Sequence, residues 1–324
     1  MFEWDRLGTN LQGRKNGVYR SLLQGRVALR RRGFGLAEKT ETIDAHHHLW
    51  RYNTAEYEWL NDEKRDSQDG RNKQALRRDF LPEQLTSELA AAGIDGTVVV
   101  QARQTLDETR WLLDQADKNP AIRGVVGWAP IAGEDFPGVM EEFEAREKLK
   151  GLRHVIEAEE DENYILRADF NAGMYAMQGS GLVYDLLVRE HQLGKTIEFV
   201  DEYPDQVFVL DHCAKPQIEA GMMEPWAAAM RELALRQNVW CKVSGLATEA
   251  DWKSWSPETL RPYLDATVDA FGPGRLMAGS DWPVCLLATG YAQWFEVLRE
   301  YFASFTEDER DNIFGGTAVS VYQL

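Results

Sequence analysis

Residues 207–212 read Val-Phe-Val-Leu-Asp-His. Four apolar side chains in a row leave no polar face, which is the pattern of a parallel strand covered on both sides. The run ends on an acid and an imidazole, side chains that move protons and hold metals. Thr97-Val98-Val99-Val100 is a second such run. In all, eight segments read as strands: 42–45, 96–101, 122–128, 151–156, 182–188, 207–212, 239–244 and 276–279. Stretches of helical period lie between them. Leu85, Leu89 and Ala92 follow Pro82 on one face; Trp111, Leu112, Gln115 and Ala116 form another. Trp226, Met230 and Leu233, then Leu260, Tyr263, Leu264 and Val268, continue the series. Strands that alternate with helices imply right-handed crossovers, and eight such units in roughly 280 residues have the size of a (β/α)₈ TIM barrel. An open doubly wound sheet is the competing arrangement, but no Gly-rich phosphate-binding turn follows the first strand.

The expected organisation is one barrel domain over residues 43–324, preceded by a basic extension over 1–42. Residues 1–40 carry nine Lys/Arg against three Asp/Glu, while the whole chain has a net charge of -17. The barrel is therefore strongly acidic, which disfavours nucleic acid and anionic membranes as partners. A small-molecule substrate is expected instead, and self-association stays open. No apolar run reaches the roughly 20 residues of a membrane span. Arg30-Arg31-Arg32 is followed by Gly-Phe-Gly-Leu-Ala-Glu-Lys, which is not the apolar segment an export signal needs. Cys213, Cys241 and Cys285 are an odd, widely spaced set without a disulfide or CxxC pattern. A cytoplasmic location is the expectation.

Barrel enzymes carry their chemistry at the C-terminal strand ends, and the polar residues gather there. The first strand leads into Asp44-Ala45-His46-His47-His48-Leu49-Trp50, the fourth ends on Arg153-His154, the sixth on Asp211-His212 with Lys215 just beyond, and the eighth on Ser280-Asp281-Trp282. Of the six histidines only His191 lies elsewhere. Period-2 alternation turns His46 and His48 to one side and His47 to the other. Two convergent imidazoles, His212 and Asp281 make a set that can hold a divalent metal. Trp50, Tyr184 and Trp282 offer either ring faces for a polyol or rim packing.

The segments IDAHHHLW, KGLRHVIE, VLDHCAKP, CKVSGL and AGSDWPV, in this order, resemble the amidohydrolase-related family of metal-dependent hydrolases. They are most similar to its sugar-lactone hydrolases, such as L-fuconolactonase and L-rhamnonolactonase. The resemblance spans 43 to about 322. It implies His46, His48, His212 and Asp281 as metal ligands and Asp281 as the proton carrier, with His212 sharing the catalytic work. It places Arg153 and Tyr184 where related lactonases contact substrate; His154, Lys215, Trp50 and Trp282 complete the substrate-binding candidates. Many members add a Lys or Glu ligand on strand four and a His on strand five. Here strand four has Arg153-His154 and strand five reads Leu-Val-Tyr-Asp-Leu-Leu at 182–187. One divalent metal, zinc first, is the expectation rather than two; metal-free catalysis by the same donors is the alternative.

The implied reaction is the opening of a sugar lactone by activated water, with Asp281 as general base and then acid. A carboxylated lactone or a decarboxylation on the same barrel are the alternatives, and a dianionic substrate would call for more arginines than Arg153 and Arg103. A non-catalytic sugar-binding barrel would need no proton carrier. No G-x-S-x-G elbow occurs, so Ser244 reads as a strand-end hydrogen bonder. Cys213 and Cys285 read as small buried hydrophobes.

Overall fold

Strands form where the apolar runs lie. The computed structural model describes residues 40–60 and 72–324. Its strands are β1 (Ile43–His47), β2 (Gly96–Val100), β3 (Ile122–Gly127), β4 (Leu149–His154), β5 (Val183–Leu186), β6 (Phe208–Leu210), β7 (Val239–Val243) and β8 (Leu276–Ala278). Each pairs in parallel with the next, in sequence order. The end of β8 returns to β1: His47 bridges Trp282 in parallel, the His48 amide donates to the Trp282 carbonyl at 2.6 Å, and the Asp281 amide donates to the His46 carbonyl at 2.8 Å. The fold is the expected (β/α)₈ barrel. The basic extension assigned to 1–42 lies, apart from its last three residues, outside the described residues.

Helices cover the outer face of the strands. Helix α1 (Pro82–Ala92) starts with proline at its first turn, buries Leu85, Leu89 and Ala92, and stops at Gly93 in the left-handed region, where glycine carries no Cβ penalty. Helix α2 (Leu106–Lys118) is capped by Thr105, whose hydroxyl accepts from the Glu108 amide, and buries Leu112, Leu113 and Ala116. Two layers of apolar side chains result. The larger lies between strands and helices and includes Leu152, Tyr184, Leu186, Phe208 and Leu210. The smaller fills the barrel itself with Ile43, Ala45, Val98, Val100, Val126, Val183, Val209 and Met277. Tyr322, from the C-terminal helix Thr317–Tyr322, joins this inner cluster. Among the described residues no helix is long and apolar enough to cross a membrane.

Strand ends shift by one or two residues from expectation throughout, and two of the shifts bear on the site. β4 begins at Leu149, two residues before the expected start, because Leu149 and Gly151 pair with Val125 and Val126 of β3. β6 stops at Leu210, and His212 is not extended: His212, Cys213, Ala214 and Lys215 have φ of 52°, 51°, 56° and 49°.

Candidate active site

The site is built by three local departures from regular backbone. The first is a register slip in β1 between Asp44 and His47. Ile43 and Ala45 point into the barrel, so regular alternation would send His47 inward. The slip turns His46 inward instead, as bulges do when they re-aim a side chain. His47 faces outward, with Nε2 3.0 Å from the Thr97 hydroxyl, and burial lowers its pKa to about 3. His46 and His48 thus share a side and His47 takes the other, as alternation suggested. The second departure is the left-handed turn at 212–215, and the third is Asp281 itself, at φ 57°. Non-glycine residues in this region cost about 1 kcal/mol or more each and persist only where the surroundings enforce them. The enforcement is visible. The Trp226 indole donates to the Cys213 carbonyl at 2.8 Å, and the Cys285 amide donates to the Asp281 carbonyl at 2.9 Å. Gly245 gives the His212 ring room, since a Cβ there would lie 2.9 Å from it.

Asp44 ties the two strand ends together. Its buried carboxylate accepts from the Ser280 amide (2.8 Å), the Ser280 hydroxyl (2.6 Å), the His46 amide (3.1 Å) and the Tyr291 hydroxyl (3.0 Å). Burial still raises its pKa to about 6.

Within this frame one ligand atom from each of His46, His48 and Asp281 converges, all within 4.8 Å of one another, and His212 stands beside them. His46 Nε2 lies 3.2 Å from His48 Nε2 and 3.8 Å from Asp281 Oδ1. Asp281 Oδ1 lies 3.2 Å from His48 Nε2 and 3.9 Å from His212 Nε2. Nitrogen and oxygen ligands of a tetrahedral zinc, about 2.0–2.1 Å from the ion, stand roughly 3.3 Å apart. The proton inventory fits the same reading. His48 Nδ1 faces the Val100 carbonyl at 2.8 Å and His46 Nδ1 faces Asp211 Oδ1 at 3.2 Å. Both partners are acceptors, so in each neutral ring Nδ1 carries the hydrogen and Nε2 is a bare lone pair. Burial holds the His46 pKa well below its ordinary value and brings His212 to about 4. Burial also pushes Asp281 upward, but His212 and His48 outweigh it and its pKa ends lowered. Two lone pairs and a carboxylate oxygen therefore meet, with the Arg153 guanidinium 3.4 Å from His46 Nε2 at their edge; a divalent cation would relieve the crowding of acceptors. His46, His48, His212 and Asp281 are the residues that would hold it.

The site lies at the floor of a cavity of about 970 Å³, whose wall includes His48, Arg153, His212, Lys215 and Asp281. Four other candidates from the sequence are elsewhere. His154 follows Arg153 on β4 and so points outward: Nε2 is 2.6 Å from Glu159, and the ring stacks on Tyr164. Tyr184 faces the helices, packed among Phe170, Phe199 and Phe208. Trp50 and Trp282 both pack on Phe80, and the Trp50 indole donates to the Arg78 carbonyl at 2.9 Å. These three aromatics pack against neighbouring rings and do not line the cavity. The tryptophans in the cavity wall are Trp59 and Trp252, which lie on connecting segments with no motif to mark them.

Sequence reading also missed the charged groups beneath the site. Asp211 accepts from Arg153 at 2.9 Å and forms an ion pair with Lys242 at 3.0 Å. Lys242 also reaches Asp185 at 2.5 Å. Asp185, Asp211 and Lys242 are fully buried. The available signal was a lone charge inside an apolar strand, Lys242 between Cys241 and Val243 and Asp185 between Tyr184 and Leu186.

The pattern of the amidohydrolase family matches residues 43–324. The chain belongs to the amidohydrolase family. This amidohydrolase is 38% identical over 293 residues to an L-fucono-1,5-lactonase of Burkholderia multivorans, covering 87% of the present chain and 96% of that relative. It is 36% identical over 291 residues to an L-fucono-1,5-lactonase of Burkholderia ambifaria, covering 88% and 96%. A crystal structure of an amidohydrolase from Burkholderia multivorans with bound zinc matches with a TM-score of 0.81 at 38% identity, over 88% of this chain and 99% of that one. The family agrees with the resemblance read from the motifs, and the protein is a hydrolase.

Proposed function

We propose that this amidohydrolase opens a neutral sugar lactone, an aldonolactone of the L-fucono-1,5-lactone type, with one zinc-like ion held by His46, His48, His212 and Asp281. The observation that carries the reading is that, among the described residues, the arginines and Lys215 of the cavity wall are already paired with carboxylates. Arg103 pairs with Glu56 at 2.8 Å, Arg153 with Asp211 at 2.9 Å, and Lys215 with Glu157 at 2.5 Å. Arg189 lies 3.4 Å from Glu157 and 3.7 Å from Glu249. A dianionic substrate needs guanidinium groups free to form forks with it; a neutral polyol does not. The names of the two Burkholderia relatives point to the same substrate class.

A bound divalent ion supplies Lewis acidity to the lactone carbonyl and acidifies a water. Asp281 takes the water proton as the new C–O bond forms at the carbonyl carbon. None of its contacts with the imidazoles uses Oδ2, which leaves that oxygen for the proton. When the ring C–O bond breaks, Asp281 returns the proton to the ring oxygen, and the open acid loses its own proton to solvent. Lys215 and Arg153, whose charges act on His212, provide the positive field that favours the developing oxyanion. His154, on the outer face, takes no part.

The test is acid release from purified protein against a panel of aldonolactones and carboxylated lactones, with metal analysis of the same batch. Turnover of a neutral aldonolactone is expected. Turnover of carboxylated lactones alone would overturn the substrate assignment.

A further inference from the structure

Charged groups inside a barrel are costly, and well-packed apolar residues of similar size are often neutral or stabilising replacements. Besides Tyr322 from the C-terminal helix, the apolar side chains that fill this barrel are Ile, Ala, Val and Met. Yet Asp185, Asp211 and Lys242 stand fully buried in it, and they form a continuous line. The Tyr322 hydroxyl donates to Asp185 at 2.8 Å, Lys242 Nζ donates to Asp185 at 2.5 Å and lies 3.0 Å from Asp211 Oδ1, and Asp211 Oδ1 lies 3.2 Å from His46 Nδ1. Lys242 Nζ is also 3.3 Å from His46 Nδ1.

That last distance sets a conflict at one nitrogen. Nδ1 faces an acceptor, Asp211, and a donor, Lys242. An ammonium has hydrogens only. If it donated to Nδ1, the ring's hydrogen would move to Nε2, and His46 could not be a ligand. Asp211 counters this by accepting the Nδ1 hydrogen while its charge holds the ammonium 3.0 Å away, and Asp185 draws Lys242 to its other side. We propose that Asp211 is a positioning residue that holds His46 in the Nδ1–H tautomer, with its Nε2 lone pair toward the metal, and that Lys242 and Asp185 hold the Asp211 carboxylate in place. Partners of this kind fix the tautomer and orientation of ligand histidines, and their loss typically weakens metal affinity 10–100-fold. The inference rests on the metal-binding part of the proposed function and is independent of the substrate.

The experiment measures zinc affinity of the folded full chain by chelator competition and reads the His46 tautomer by ¹⁵N imidazole NMR of the zinc-free form. The variants are Asp211→Asn and the charge-balanced pair Asp185→Asn with Lys242→Met. Asp211→Asn is expected to weaken zinc 10–100-fold and to shift His46 toward Nε2–H. The charge-balanced pair, which leaves Asp211 braced by Arg153 alone, is expected to weaken zinc by about tenfold with the Nδ1–H tautomer kept. If Asp211→Asn does not fold, the pair decides. A folded pair variant that binds zinc within threefold of the parent overturns the proposal, whatever its melting temperature, and so does a parent chain that binds no zinc. Loss of zinc affinity in a chain inactive on every lactone would uphold the positioning role while ending the lactonase reading.

Discussion

The two faces of each barrel strand carry neighbouring polar residues to opposite fates. On β1, His46 meets His48 and Asp281 at the cavity floor, while His47 binds the Thr97 hydroxyl on the outer side. On β4, Arg153 reaches Asp211 inside and His154 reaches Glu159 outside. On β5, Asp185 joins Lys242 inside while Tyr184 packs among phenylalanines outside. Position at a strand's C-terminal end is thus not enough for a role in the chemistry; the face decides. The inward residues join a network of charges beneath the cavity, and the outward ones meet neighbours between the strands and the helices.

The largest effect that would break this contrast concerns Asp281. Asp281→Asn keeps shape and removes proton affinity, so turnover should fall about 10³-fold with a much smaller change in KM. An Asn variant within tenfold of the parent would end its role as proton carrier. The histidine pair on β1 sharpens the contrast directly. His46→Asn should lower both zinc content and turnover, whereas His47→Leu should keep zinc content. The latter should destabilise by about 1–3 kcal/mol, because a buried hydroxyl loses its partner. Equal zinc loss in both would show that the faces are not separate, as metal analysis and chemical unfolding would reveal.

On β4, Arg153→Met leaves Asp211 short of one cation and removes charge from the cavity floor. A loss of turnover by about 10²-fold is expected. His154→Gln should remain within about threefold of the parent, since Gln still bonds Glu159 and nothing at that face touches the cavity. Steady-state kinetics on both variants checks the difference. The smallest effect belongs to Tyr184→Phe, which should leave kcat and KM unchanged and stability within about 1 kcal/mol. A clear rise in KM would place Tyr184 in substrate contact after all.

All eight strands were legible in the sequence because a parallel strand buried on both faces must be an apolar run. Thr97 to Val100 and Val207 to Leu210 have no other reading in a chain of this rhythm. That His46, His48, His212 and Asp281 gather at one end of the barrel was legible because polar groups at strand ends are conspicuous. The aromatic candidates were not resolvable in this way. Trp50, Tyr184 and Trp282 suit either a sugar face or a packed rim, and only the position of Phe80, Phe170 and Phe199 against them settles the matter. Asp185 and Lys242 carried a signal that alternation could have used, a charge where the outward neighbours are apolar. It lacked meaning until the two were seen 2.5 Å apart on β5 and β7.

From the order of its residues alone, this chain determined a barrel and which groups gather at one end of it. Both follow from local rules, apolar runs that must be buried and polar groups that cannot be. Which nitrogen of His46 faces the ligand cluster, and which face Asp281 presents, were decided only by the tertiary structure. A register slip in β1 and left-handed backbone at 212–215 and 281 are strained states that no local preference favours, and they exist because contacts from other strands and helices enforce them.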